Sequence, residues 1–109
     1  MNQKIFNLDD MLKGWFVGNF KPTAFETKAA EVGIKTYAAG EKEAKHYHKI
    51  STELTVVIDG TILMNGQTYE KGDIIVIPPG NATDFEAITD ARTVVVKVPG
   101  ELNDKYLVD

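Results

Sequence analysis

Cysteine is absent from this chain of 109 residues, and histidine nearly so, with two copies. Without cysteine there is no disulfide framework, no thiolate zinc site and no cysteine nucleophile, so any metal must be held by nitrogen and oxygen. Long apolar runs are missing as well. The opening stretch "MNQKIFNLDDMLKGWFVG" carries acidic residues early. It reads as neither a signal peptide nor a membrane span, which predicts a cytoplasmic chain starting near Met1 and no membrane partner. A basic patch is lacking too. The net charge is −4, and Lys42, Lys45 and Lys49 are interleaved with Glu41, Glu43 and Glu53, so nothing marks a nucleic-acid partner. There is no Gly-rich phosphate loop and no G-x-S-x-G elbow. Helix signals are confined to "LDDMLKGW", one turn that Gly14 ends.

What remains is strand. β-branched and aromatic runs alternate with turn residues, predicting strands near 15–20, 31–38, 44–49, 53–58, 61–64, 67–70, 73–77, 83–88 and 92–98. "DG" at Asp59–Gly60 and "NG" at Asn65–Gly66 tolerate positive φ and read as tight hairpin turns, while "KGD" and "PPGN" supply further corners. One domain of this length closes a single core. The pattern predicts an all-β antiparallel barrel or sandwich. Val56, Ile58, Ile75, Ile77 and alternate residues of "TVVVKV" are its candidate core.

Both histidines fall in one stretch, "HYHKISTE", residues 46 to 53. On a strand, positions two apart share a face, so His46 and His48 project together and Tyr47 points away. Glu53 stands an odd number of residues beyond His48 and needs a turn or bulge within "KIST" to face the same way. Two imidazoles and one carboxylate suit one divalent ion: Fe, Mn, Ni, Co or Zn. Solvated imidazoles on a surface strand are the alternative.

The spacing around these residues resembles the first motif of the cupin family: Gly40, five residues, His46, one, His48, four, Glu53, six, Gly60. "GDIIVIPPGNAT" is similar to the second: Gly72, five residues, Pro78, one, Gly80, two, Thr83. The resemblance implies a small jelly-roll β-barrel, often a homodimer, with a metal at its mouth held by His46, His48 and Glu53. Two positions depart from the pattern. Thr83 stands where the family has a third histidine, and Ala87 where it has an asparagine. Three outcomes follow. The site keeps three protein ligands, with Thr83 hydrogen-bonding a water; Asp84 swings in as a carboxylate ligand, against its strand parity; or the metal is lost and a pocket remains.

Alternation from Thr83 puts Phe85 on the cavity side, as core or as an apolar wall. The lining suits a compact ligand. Residues 1–30, with Trp15, Phe16, Phe20 and Phe25 among them, read as an N-terminal arm carrying one strand that covers the barrel 31–109 or a dimer partner. The function expected is action on a small oxygen-bearing metabolite at the metal, dioxygenase- or isomerase-like. The alternative is a non-catalytic module that binds a small molecule.

Overall fold

The computed structural model describes residues 2–108. Ten strands form two antiparallel five-stranded sheets: β1 (Trp15–Val17), β2 (Glu31–Tyr37), β3 (Lys42–Tyr47), β4 (Thr52–Asp59), β5 (Thr61–Met64), β6 (Gln67–Glu70), β7 (Ile74–Ile77), β8 (Thr83–Ala87), β9 (Ala91–Val98) and β10 (Tyr106–Leu107). One sheet runs β1-β2-β9-β4-β7 and the other β10-β3-β8-β5-β6. From β2 onward the chain changes sheet at every connection but one. The exception is the β5–β6 hairpin, whose Asn65–Gly66 loop holds both central residues at positive φ, 50° and 78°, as its sequence predicts. The Asp59–Gly60 pair differs from expectation. β4 and β5 lie in different sheets, so Gly60 turns a corner between sheets and closes no hairpin. The expected strand at 15–20 stops at Val17, where the chain folds back and Gly18 N–H donates to Phe25 O. The helical stretch is a pair of 3-10 turns, Leu8–Asp10 capped by Asn7 and Leu12–Gly14. Among the described residues no helix is long and apolar enough to cross a membrane.

The core lies between the sheets, around Val57, Ile62, Met64, Ile77, Phe85 and Ala87. Ile77 is buried as expected, and Ile75 packs against the cluster. Val56 and Ile58 are not core. The inward face of β4 is Glu53, Thr55 and Val57, so the even positions turn out and Ile58 is 37% exposed. One residue of phase decides this, because strand side chains alternate strictly. The outer face of the same sheet is nevertheless apolar: Ile74 is 62% exposed and Val76 57%, and they pair with Val56 and Leu54.

The C-terminal segment, illegible in the sequence, closes the β3–β4 corner. Asp104 is buried, and its carboxylate accepts hydrogen bonds from the backbone N–H of Lys49 (2.9 Å), Ile50 (3.0 Å) and Ser51 (2.9 Å). The Ser51 hydroxyl donates to Pro99 O at 2.7 Å. Burial pulls the Asp104 carboxyl upward, but the amides of Ser51, Lys49 and Ile50 outweigh it and hold the group below the usual carboxylate range. A carboxyl depressed in the folded state stabilises that state above its unfolded value, and the contribution is lost as pH falls through the folded value. Asp104→Ala is therefore expected to cost about 1–3 kcal/mol at pH 7, since it leaves buried amides unpaired. Urea unfolding at pH 7 and pH 3 checks this: the gap between the two proteins should narrow at the lower pH.

Candidate metal centre

Two local irregularities aim the site residues. In β3 the register with β8 pairs Glu43 with Phe85 and then slips, so that His46 pairs with Thr83. The bulge at Ala44 and Lys45 absorbs the odd spacing and turns both Glu43 and His46 inward. The second irregularity is the corner at 49–51, which lets β4 begin at Thr52 with Glu53 facing inward, as the "KIST" reading requires. His48 lies between them, just past the end of β3, and its carbonyl accepts from Gly80 N at 2.6 Å.

His46, His48 and Glu53 are each buried, with exposures of 8%, 4% and 8%. Each offers one ligand atom, and these atoms lie within 4.8 Å of one another. The imidazole rings stand 5.3 Å apart and nearly perpendicular. His46 Nδ1 lies 3.0 Å from Ala44 O, which assigns the proton to Nδ1 and leaves Nε2 as the ligand atom. His48 Nε2 is buried without a hydrogen-bond partner among the described residues, a costly arrangement unless a cation uses that lone pair. These residues fit a divalent transition ion with nitrogen and oxygen preference.

Burial, reinforced by Lys97 and His46, lowers the His48 imidazole to about 4, so it is neutral over the physiological range. Burial raises the Glu53 carboxyl, against the opposing pull of Lys97 and His46. A cation among the three would oppose that upward shift.

Thr83 is buried opposite His46 and lines the same cavity, as does Phe85. Phe85 is core and wall at once, its ring 4.5 Å from that of Tyr37. Asp84 is not gathered with the ligands. Its carboxylate turns to the other face and accepts from Asn65 N at 2.7 Å, while Asn65 Oδ1 accepts from Asp84 N. The cavity residues that escaped the sequence reading include Tyr37, Glu43, Lys97 and Glu31. Tyr37 donates to Glu43 Oε2 at 2.5 Å; burial and that acceptor raise the phenol far above its ordinary value. Lys97, directly opposite both Glu31 and Glu53 in register, places an ammonium beside the site. The cavity they line measures about 960 Å³. A lysine on the inward phase of "TVVVKV" was the available signal for one of them.

No protein-family model matches the chain, and no curated protein matches it. Solved structures do. An uncharacterised conserved protein with a double-stranded β-helix domain from Klebsiella pneumoniae superposes with a TM-score of 0.71 at 22% identity, covering 99% of each chain. An RmlC-like cupin from Desulfovibrio desulfuricans gives 0.58 at 25% identity over 68% of this chain and 76% of the other. The chain is a cupin by fold. A third similar structure, a sugar phosphate isomerase from a cupin superfamily from Silicibacter pomeroyi, gives 0.60 at 25% identity over 64% of this chain and 50% of its own. The three residues gathered in this barrel are those that the motif resemblance singles out in the sequence.

Because the ligands must be deprotonated to bind, metal affinity is expected to fall with pH. The raised Glu53 carboxyl competes for protons above the ordinary carboxylate range, whereas His48 resists protonation down to about 4. Metal titration at pH 7.5 and pH 5 reads this directly, and equal affinities would contradict it.

Proposed function

We propose that this cupin is a metal-dependent protein acting on a small oxygen-bearing metabolite, with His46, His48 and Glu53 holding one divalent ion of Fe, Mn, Ni, Co or Zn. The observation that carries the reading is the convergence of one ligand atom from each of three buried residues within 4.8 Å, beside a buried His48 Nε2 that finds no hydrogen-bond partner among the described residues. Such an ion supplies Lewis acidity toward a substrate oxygen, or a route to O₂. The chain's own residues serve the isomerase-like branch better than the dioxygenase-like one. Tyr37 and Glu43 form a hydrogen-bonded acid–carboxylate pair in the cavity wall. Its phenol keeps its proton at neutral pH and donates, and Glu43 is the carboxylate placed to exchange a proton with a bound molecule. Thr83, across from His46, offers a hydroxyl to position substrate or water, and Phe85 excludes solvent from that wall.

A second reading, a binding module with weak or no metal, is favoured by one observation: the family's third histidine and its asparagine are replaced by Thr83 and by the buried Ala87. We also read the apolar outer face of the β1-β2-β9-β4-β7 sheet as the seat of a second copy. It looks away from the cavity, so a pair joined there keeps both mouths open. The N-terminal arm around β1 then acts as the barrel's own cover, with β1 already paired to β2 of the same chain.

Plasma mass spectrometry of untagged protein tests the first reading. About one equivalent of a transition metal is expected in the wild type and almost none in the His46→Ala/His48→Ala variant. A metal-free wild type that also refuses all five ions on reconstitution would leave the binding-module reading standing. For the pairing, light scattering should give a dimer for the wild type and a monomer for Val76→Asp.

A further inference from the structure

The inward faces of three neighbouring strands carry charge where a barrel interior is normally apolar. Glu31 on β2, Lys97 on β9 and Glu53 on β4 form one row across the sheet, each directly opposite the next. Lys97 Nζ lies 3.9 Å from Glu31 Oε1, and Glu31 Oε2 is buried with no hydrogen-bond partner among the described residues. Two residues along β2 from Glu31 comes Gly33, opposite Trp15 of β1. The indole lies on the bare glycine, where a Cβ would sit 2.7 Å from the ring. Two residues further is Lys35. Its Nζ is 5.3 Å from the Trp15 ring centroid, and Lys97 Nζ is 5.0 Å from the same centroid.

Two ammoniums are thus drawn to one aromatic ring in the wall of the cavity. Lys35 is half-buried and donates to Lys13 O at 3.3 Å, but among the described residues no carboxylate lies within ion-pair distance of it. The cavity as a whole repeats this imbalance. Six of the chain's 12 cationic side chains line it, Lys13, Lys21, Lys35, Lys42, Lys97 and Lys105, against five of its 16 carboxylates. A molecule with a net charge of −4 therefore has a cavity with one net positive charge, before any divalent ion enters. Low-dielectric walls focus such a field on a ligand of opposite sign.

We propose that the cavity takes a small organic anion, with Lys35 and Lys97 receiving its carboxylate or phosphate oxygens, Trp15 covering its carbon skeleton and a second oxygen reaching the His46–His48–Glu53 centre. That second attachment rests on the metal reading above; the anion site itself does not. Ammonium groups bind either acid as point charges, so the shared chemistry is an anionic oxygen cluster.

Trp15 is the chain's one tryptophan, so its fluorescence reports this site without reference to metal. Chelator-treated protein at low ionic strength is titrated with succinate, with inorganic phosphate and with succinamide as the neutral control. A saturable change is expected with at least one anion and none with succinamide, weakening as salt is added. In Lys35→Met or Lys97→Met, or both, the affinity should drop about tenfold or more, the loss of one charge-assisted contact. A response to succinate alone identifies carboxylates, one to phosphate alone identifies phosphorylated ligands, and a response to both supports the common class.

No saturable response of the wild type to either anion overturns the proposal, as does unchanged affinity in both methionine variants. Should a variant fail to fold, the salt dependence and the succinamide control decide the matter in the wild type. Metal content, measured on untreated protein, separates the two readings. Anion binding by a protein that is metal-free as purified and refuses all five ions on reconstitution keeps this site and removes the metal centre. Metal without anion binding does the reverse.

Discussion

The site depends on a constraint of phase. A strand has two faces, and a slip of one residue exchanges them. Glu43, His46, His48 and Glu53 do not share one parity, yet all four reach the interior. The bulge at Ala44 and Lys45 resets the count once, and the corner at Lys49 to Ser51 resets it again. Everything the cavity offers on this wall follows from those two resets: the bulge carries the carbonyl that orients His46, and the corner swings β4 across to the opposite sheet. The glutamate of the ligand set and the histidines therefore approach one another from facing sheets.

The second organising fact is electrostatic. A closed core would expel Glu31, Lys97, Glu53, Lys35 and Glu43, since unpaired charge in an apolar interior is costly. Here they interleave, so that most charges face an opposite one, and burial shows in the shifts it produces: Glu31 and Glu53 are raised, Lys35 and His48 lowered. Around Val57, Ile62 and Ala87 the interior is apolar and buried. The two kinds of lining are not cleanly layered: the Glu31–Lys97–Glu53 row lies at one end of the sheet, but Lys35 stands in the row of Thr93 and Val57, and Glu43 opposite Phe85. The same strands supply both, by changing residue type along one face.

Much of this was legible in the sequence because it is local. Strand runs, the Asn65–Gly66 turn and the spacing from Gly40 to Gly60 are short-range patterns, and each has its counterpart in the structure. The Val56 and Ile58 assignments failed for want of applying to β4 the parity that Glu53 demands: if Glu53 is inward, Thr55 and Val57 are inward with it. Glu43 was hidden by the β3 bulge, which leaves no mark in composition. Tyr37 and Lys97 needed the register of β2 and β9 against β4, a pairing between segments about sixty residues apart in the chain. Asp104 was the least readable of all, since its partners are backbone amides and carry no side-chain signature.

The Asp104 clamp bears on how far the candidate centre is a property of the whole fold. His46, His48 and Glu53 are near neighbours in the chain, so a short peptide contains the whole ligand set. Their convergence is not a local property. The corner between them is closed by a side chain 55 positions away from Lys49. Remove that carboxylate, and three backbone amides lose their acceptor at the turn that brings Glu53 round to the histidines. The geometry of the candidate centre is therefore held by a segment beyond β9 as much as by the residues that compose it.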